Sequence, residues 1–259
     1  MVLNDLLLNS KNDIPFIGAQ INIHQPTIKE IAYIGEETFY IGCQFLNFSK
    51  NNLSEQDKSH LKNQSDFDIF MSVIKDKNPA IQKGKVSAFS VLALLFPDYK
   101  ISIATDNTLR IFKDKEELDE NGNHIIEEHF LNNNNFKAFK EILVAMFCLE
   151  ASSGENINYN PKGKMANSIA EKLRAGREKA AAVKGEQQKV AILDRYLSIL
   201  AVGEGKDKNV LLNYTVYQLF DEFQRYSLKQ ENDIYMQAKI AGAKGMKEVD
   251  NWMKDIHSN

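Results

Sequence analysis

Cysteine is scarce in this 259-residue chain, which contains only Cys43 and Cys148. Such low usage excludes a small secreted scaffold held together by disulfides and suits a reducing compartment. Each cysteine stands in an apolar helical pattern, so we predict that both are small core residues. The first residues, MVLNDLLLNSKND, lack the basic start and the long apolar centre of a signal peptide, so we do not expect secretion.

Long apolar runs are also missing. The longest one, Val86 to Phe96, falls far short of the ~20 residues that a membrane span needs, and we predict a buried helix there. An excess of one charge is missing as well, since 32 Lys and Arg stand against 35 Asp and Glu, which excludes the basic balance of a dedicated nucleic-acid binder. With 43% hydrophobic residues, the chain can bury a core in one large or two ordinary domains.

Catalytic motifs are absent from the sequence. It contains no G-x-S-x-G nucleophile elbow, no Walker loop and no G-x-G-x-x-G dinucleotide fingerprint. The string HIIEEH resembles a zinc-helix motif, but His124 and His129 are five residues apart, about 140° round a helix, whereas two ligands on one helical face need a spacing of four. We therefore predict a protein that is not an enzyme and that binds neither a metal nor another cofactor.

Residue periodicity predicts an α+β fold that is predominantly helical. Ile21 and Ile23 alternate with polar neighbours as in a short strand, and Thr27 with Glu30 forms a capping-box pair at the start of a helix. Mostly apolar residues then follow at three-and-four spacing and predict one helical face about five turns long. These residues are Ile31, Ile34, Thr38, Ile41, Phe45 and Phe48.

Two further helices and a β-hairpin are predicted next. The helices cover 67–74 and 85–95, and the turn of the hairpin falls at Asp106-Asn107, where asparagine tolerates the backbone conformation. The alternating apolar residues of its strands are Ile101, Ile103, Leu109 and Ile111. A short strand at Ile125-Ile126 and an apolar helix over 136–149 complete this part.

A stretch rich in Ser, Gly, Asn and Pro divides the chain. We predict an N-terminal α+β domain over 1–150, a hinge over 151–164 and a helical C-terminal domain over 165–259. The helices predicted in the last part are 165–184, 192–200 ended by Gly203 and Gly205, one starting at Thr215, 233–241, and a short one around Trp252.

The helix that starts at Thr215 carries many aromatic residues, which are more often core than contact surface. Its buried side is predicted from Val216, Leu219, Phe220 and Phe223. Tyr217 lies towards the edge of that side, where amphipathic rings favour interfaces, and Trp252 follows near the end. We therefore predict that Tyr217 and Trp252 contact a partner protein.

The most biased charge lies over 162–189, where eight basic residues stand against three acidic ones, a net charge of +5. Because no aromatic residues are interleaved for base stacking, the solvated face of an exposed helix is the favoured interpretation. Contact with an acidic protein through Arg174 and Arg177, or a nucleic-acid stripe, are the alternatives that remain open.

Two strings resemble proteins of tailed-phage structural gene clusters. They are IHQPTIKEIAYIGEETF near the start and TVYQLFDEFQRYSLKQENDIYMQAKIAGAKGMKEVDNWMKDIH near the end, with a weaker match in YNPKGKMANSIAEKLRAGREK. The proteins they resemble look like tail assembly chaperones or associated morphogenesis factors. The resemblance covers about a third of the chain and fixes no binding residue.

The resemblance implies a virus-encoded protein of the host cytoplasm, without a cofactor, whose partner is the tape-measure or tail-tube protein. Self-association is left open. The alternatives are a structural component of the phage particle and a small regulatory or nucleic-acid-binding factor that acts through the basic stretch at 162–189. No association with a membrane is expected.

Overall fold

The computed structural model describes residues 3–50, 61, 63–118, 122, 124–149, 192–243, 248–249 and 251–253. The predicted hinge over 151–164 and the predicted helix over 165–184 lie outside these residues. The fold is α+β and predominantly helical, as predicted. In chain order its elements are α1 (Asp5–Asn9), β1 (Ile14–Phe16), a 3-10 turn (Ile17–Ala19), β2 (Ile21–Ile23), α2 (Ile28–Ile34), α3 (Glu36–Leu46), α4 (Asp66–Lys75), α5 (Pro79–Leu95), β3 (Lys100–Ile103), β4 (Leu109–Leu118), β5 (His124–Leu131), α6 (Phe136–Met146), α7 (Ile192–Glu204), α8 (Lys208–Leu212) and α9 (Val216–Ile240).

The N-terminal ribbon and the helix after it confirm two predictions. β1 and β2 pair antiparallel, with Ile14 opposite Ile23, and both of these residues are fully buried. α2 then starts at the predicted capping box. Thr27 Oγ1 accepts from the Glu30 N–H at 3.3 Å, and Glu30 Oε2 accepts from the Thr27 N–H at 2.7 Å. The capping box thereby satisfies the Glu30 N–H, one of the first N–H groups of α2, and the N–H of the cap residue itself.

The predicted five-turn helix breaks at Gly35. The φ angle of Gly35 is 85°, in the left-handed region that favours glycine, and the residue separates α2 from α3. This break changes the face that α3 buries, so that Ile41 and Phe45 are only half-buried. The buried residues of α3 are Phe39, Gly42, Cys43 and Leu46. The prediction of one continuous face was wrong, because side-chain spacing does not reveal a backbone turn.

α3 and α5 approach each other closely at Gly42. A Cβ atom on Gly42 would lie 2.4 Å from Ser87 O and 2.6 Å from Val91 Cγ2. Neither a helix backbone nor a buried valine can move away cheaply in a packed interior. α5 itself begins at Pro79, six residues before the predicted start, while α4 buries the predicted stripe of Phe67, Phe70, Met71 and Ile74.

The predicted β-hairpin is confirmed in β3 and β4. Ile101 pairs with Ile111 and Ile103 with Leu109, and the turn residue Asn107 has a φ angle of 66°. This left-handed conformation is one that asparagine tolerates better than most residues. The three strands form one antiparallel sheet in the order β3-β4-β5.

β5 is longer than the predicted strand at Ile125-Ile126, and it pairs with β4 along most of its length. His124 and His129 therefore lie on a strand, where residues five positions apart point to opposite faces. Because the two imidazoles lie on opposite faces of the sheet, they cannot bind the same metal ion. The sequence led to the same conclusion from the angle between the two residues on a helix, but the physical reason is their alternation on a strand.

Residues on both sides of 150–191 contribute to one hydrophobic cluster. It includes Phe139 of α6, Leu200 of α7 and Leu219 of α9. Across the same gap, the Leu193 N–H donates to Glu36 Oε1 at 2.9 Å. Because the predicted boundary lies outside the described residues, the division into two domains stays a prediction.

The C-terminal helices follow the predictions in part. α7 and the start of α9 at Thr215 are confirmed, whereas α8 was not predicted. α9 runs without a break to Ile240, so the separate helix predicted over 233–241 was wrong, and Trp252 lies in a turn rather than a helix. No helix among the described residues, α9 included, is both long and apolar enough to cross a membrane.

Glu127 holds the outer part of β5 against the body of the protein. Its Oε1 atom accepts hydrogen bonds from Tyr99 Oη at 2.8 Å and His129 Nε2 at 3.0 Å. Lys113 Nζ lies 3.6 Å from Oε2 of the same carboxylate. The hydrogen bonds from His129 and Tyr99 lower the pKa of Glu127 to about 2.

Gly42→Ala is expected to lower the free energy of unfolding by about 1–3 kcal/mol, the usual effect of overpacking a core, because the new methyl group would overlap the α5 backbone. Urea denaturation followed by circular dichroism measures the change. The control Gln44→Ala, at an exposed position of α3, should change stability by less than about 0.5 kcal/mol. An unchanged midpoint for Gly42→Ala would show that the two helices are not in close contact.

Acid should weaken the protein in part through Glu127. In the unfolded chain this carboxyl group protonates near its ordinary pKa of 4.5, whereas in the folded chain it stays ionised until about pH 2. The stability that its ionised form contributes is therefore present above pH 4.5 and is lost as the pH falls towards 2. Melting curves between these pH values should show a smaller decline for Glu127→Gln than for the exposed control Glu116→Gln. Equal declines would contradict this assignment.

Candidate protein-binding site

α9 is fixed to the body of the protein at its first turn. Thr215 and Gln218 form a capping box, and Gln218 Nε2 also donates to Asn9 O at 2.6 Å. The residue before the cap, Tyr214, offers its carbonyl to the Ile28 N–H of α2 at 2.8 Å. These contacts set the direction in which the helix leaves the core.

Tyr217 belongs to this anchor rather than to the surface. Its side chain is buried, with 5% exposure, and its Oη donates to Asp5 Oδ1 of α1 at 2.8 Å. Burial, together with the hydrogen bond to Asp5, raises the pKa of Tyr217 well above its ordinary value. The predicted contact of Tyr217 with a partner protein is not supported. α1 covers the side of α9 on which the sequence predicted an accessible tyrosine.

The core-facing side of α9 continues beyond the core. The buried residues of this 25-residue helix all lie between Val216 and Phe220. Ile234 follows Val216 by 18 residues, about five turns, and so lies on the same side of the helix. It is nevertheless 64% exposed. The C-terminal half of α9 therefore carries an apolar side chain that no described residue buries.

A second side of α9 is apolar at the same end. Met236 and Ile240 are one turn apart, and they are 47% and 83% exposed. Ile240 follows Glu222 by 18 residues, or five turns, and therefore lies on the same side of the helix as Glu222. Met236, one turn before Ile240, lies on that side too. We call Ile234, Met236 and Ile240 together the α9 outer surface.

A groove of about 370 Å³ adjoins the first half of α9. Its lining residues are Asn9, Glu204, Tyr214, Gln218, Asp221, Glu222, Arg225, Tyr226, Lys229 and Trp252. Trp252, the other predicted contact residue that the structure describes, is 36% exposed at the wall of this groove. The structure thus separates the two predicted aromatic residues, since Tyr217 is core and Trp252 is accessible.

The charges around the groove balance. Lys206 Nζ lies 3.1 Å from Glu204 Oε2, contacts Glu222, and donates to Tyr214 Oη at 3.3 Å. Burial disfavours the charged amine, but the hydrogen bonds to Glu204 and Tyr214 outweigh it, and the pKa of Lys206 is raised. A groove with acidic, basic and aromatic walls suits a polypeptide segment better than a phosphate group, which would need a basic excess.

Gly203 makes room for one wall of this groove. A Cβ atom at this position would lie 2.2 Å from Tyr226 Oη. The glycine lies inside α7, which ends at Glu204, and the residue after that end with a left-handed φ angle of 67° is Gly205. The sequence prediction that both glycines end the helix is therefore correct for Gly205, whereas Gly203 serves packing.

A histidine between two carboxylates is the other polar cluster of note. His24 Nδ1 lies 3.1 Å from Asp13 Oδ1, and His24 Nε2 lies 3.3 Å from Glu30 Oε1. Glu30 is also the acceptor of the capping box. The Thr27 hydroxyl, which belongs to the same network, donates to Glu30 Oε2 at 2.7 Å. This geometry fits a brace for the start of α2. The described residues include no group of three or more His, Cys, Asp or Glu that could hold a metal ion.

Comparisons with known proteins find one similarity. A family model described as the YomV second domain matches residues 184–257, which include α7, α8 and α9. No curated protein and no solved structure matches the chain. The matched family is phage-derived, which indicates a phage-associated protein. All residues that line the groove, except Asn9, fall in the matched segment.

Sequence patterns did not indicate the α9 outer surface, because they predicted one helix that ends near Tyr226 and another that begins at Asp233. The signal was present as the 18-residue spacing from Val216 to Ile234, which holds only if the helix is continuous. Two of the predicted contact residues, Arg174 and Arg177, lie outside the described residues.

Tyr217→Ala should lower the free energy of unfolding by about 3–5 kcal/mol, as truncation of a buried aromatic residue usually does. Tyr217→Phe should lower it by about 1–3 kcal/mol, because the hydrogen bond to the Asp5 carboxylate is lost while the ring stays buried. Thermal melting of both variants tests the assignment, with Tyr33→Ala, at 82% exposure, as the surface control. If Tyr217→Ala melts like Tyr33→Ala, then α1 does not cover this residue.

Proposed function

We propose that this chain is a non-enzymatic phage morphogenesis protein, similar to tail assembly chaperones, that binds the tape-measure or tail-tube protein during virion assembly. It acts in the host cytoplasm and uses no cofactor. The observation that carries the proposal is the α9 outer surface, which lies in the segment similar to a phage-derived family. The resemblance of both chain ends to tail gene clusters supports the same class.

The shape of α9 favours a chaperone-type contact. A 25-residue helix is about 37 Å long, and only its first turns are buried in the body of the protein. Isolated exposed apolar residues are ordinary on a protein surface. Here Met236 and Ile240 lie one turn apart on one side of α9, and Ile234 is exposed on another side at the same end of the helix. The unbranched Met236 can adapt to partners of different shape.

The groove beside α9 offers a second part of the same contact. Trp252 is a large amphipathic side chain at its wall, and tryptophan is enriched among the residues that dominate binding energy. The groove lies beside the side of α9 that carries Met236 and Ile240. A partner segment that follows this side can therefore reach both features.

The main alternative, a structural component of the particle, predicts a different fate for the protein. A chaperone leaves once the tail is built, whereas a component stays at a fixed copy number. Quantitative mass spectrometry of purified particles distinguishes the two. Absence from particles supports the proposal, and stoichiometric presence supports the alternative.

Ile240→Lys is expected to reduce capture of a co-expressed tape-measure or tail-tube protein at least about tenfold, because a charge would have to be buried in an apolar contact. Its melting temperature should not change, since the side chain is 83% exposed. The matched control is Val202→Lys, which alters an 86% exposed residue near the end of α7. Affinity pull-down from co-expressing cells provides the measurement. Full capture by Ile240→Lys, or equal losses in both variants, would remove the α9 outer surface from the proposal.

A further inference from the structure

The outer edge of β5 is open. β5 is an edge strand of the three-stranded sheet, and it joins no other strand than β4 in the described part of the chain. An edge strand presents unpaired N–H and C=O groups, which can template pairing with another chain. The part of β5 at issue is His124 to Glu128, which includes Ile125 at 38% and Ile126 at 45% exposure.

The hairpin turn determines which residues of β4 face β5. Backbone groups of successive residues in an antiparallel strand point alternately to its two neighbours. The Ala104 N–H donates to Thr108 O at 2.9 Å across the β3-β4 turn, so Thr108 faces β3. By alternation, the backbone N–H and C=O groups of Arg110 and Phe112 also point towards β3. Those of Ile111 and Lys113 point towards β5.

The same alternation shows which backbone groups of β5 point outwards. Ile111 pairs with His129 and Lys113 with Glu127, so these two residues of β5 bond inwards to β4. Ile126 and Glu128 then direct their N–H and C=O groups away from the sheet. The Phe130 carbonyl, which follows the same alternation, accepts from Asn135 Nδ2 at 2.8 Å. The inner end of the edge is therefore capped, and the outer end has open backbone groups.

The corresponding edge of β4 is protected, whereas that of β5 is not. β3 pairs with β4 only as far as Phe112, so the far part of β4 also has one free side. Five charged residues follow there in succession, from Lys113 to Glu117. Consecutive charges of this kind are a common means of preventing edge-to-edge association. β5 has Ile125 and Ile126 at the corresponding level and no proline.

We propose that the outer edge of β5 pairs antiparallel with β5 of a second copy of this chain. A two-fold axis at Ile126 places Ile126 opposite the second copy's Ile126. It also places His124 opposite the second copy's Glu128, so that an imidazole faces a carboxylate on each side of the axis. A register centred on Glu127 or on Glu128 would instead set a carboxylate opposite the same carboxylate of the second copy, which is unfavourable in a sheet.

Pairing would also stabilise the outer part of the sheet, which has few strands. Beyond Phe112 the sheet has only two strands, and an isolated two-stranded ribbon is marginally stable in water. With the second copy, this outer part would have four strands. The two complete sheets would together form one continuous sheet of six strands. This inference uses β5 alone and does not depend on the partner proposed for α9.

The test is the mass of the full chain in solution across a range of concentrations. Light scattering after gel filtration should give about twice 29.5 kDa at high concentration. Ile126→Pro removes an outward N–H group and no bond to β4, so the fold should persist while the dissociation constant rises at least about tenfold. The matched control is Ile103→Pro on β3, the opposite edge of the sheet, where the residue is 37% exposed and its N–H also points away from β4.

A cysteine variant tests the register without proline. Hydrogen-bonded antiparallel pairs have Cα atoms about 5.5 Å apart, within the range of a disulfide. Ile126→Cys should therefore form a covalent dimer on mild oxidation, whereas Ile103→Cys should not. A chain that is monomeric at every concentration overturns the proposal. So does a dimer that survives Ile126→Pro and is not cross-linked by Ile126→Cys.

Discussion

The whole arrangement depends on a junction at which two helix N-termini meet. Thr27 and Thr215 form an isolated antiparallel bridge, and each threonine caps the helix that follows it. The first N–H groups of a helix have no partner within it. One of them, that of Ile28 in α2, donates to the Tyr214 carbonyl, so the C-terminal part of the chain completes the cap of an N-terminal helix. Within this junction Thr215 is buried, with 1% exposure, and Thr27 is half-buried.

This junction explains why one end of α9 is rigid and the other is accessible. Next to it, Tyr217 is bonded to Asp5 and Gln218 to Asn9, so the first and last residues of α1 hold the first turn of α9. From Asp221 onwards no residue of α9 is buried. The helix therefore presents its apolar end in a fixed direction, which lowers the ordering entropy that a partner contact must overcome.

The three-stranded sheet shows the same combination of an anchored and a projecting part. Its inner end packs against the core through Leu109, Ile111 and Leu131, which are fully buried. The outer end depends on Glu127, which receives hydrogen bonds from Tyr99 and His129. Because α9 and β5 are separate elements, the proposed partner contact and the proposed pairing of two copies would not compete for the same residues.

Local chemistry explains which features the sequence alone determined. The capping box at Thr27, the start of a helix at Thr215, the turn at Asn107 and the stripe on α4 depend on residues a few positions apart, and each was predicted. The absence of catalytic motifs and the helical α+β class follow from composition and periodicity in the same way. By contrast, the break at Gly35 was missed, because a glycine in a helical pattern is compatible with either a continuous or a broken helix.

Contacts between distant parts of the chain decided the rest. The sequence placed Tyr217 at the edge of a buried stripe, and only the packing of α1 against α9 shows that this edge is covered. It likewise suggested two helices where α9 is one, and therefore left Ile234 and Ile240 unremarked. Whether an apolar residue becomes core or binding surface depends on what the tertiary structure brings against it. Spacing along the chain determines only which side of a helix or strand the residue occupies.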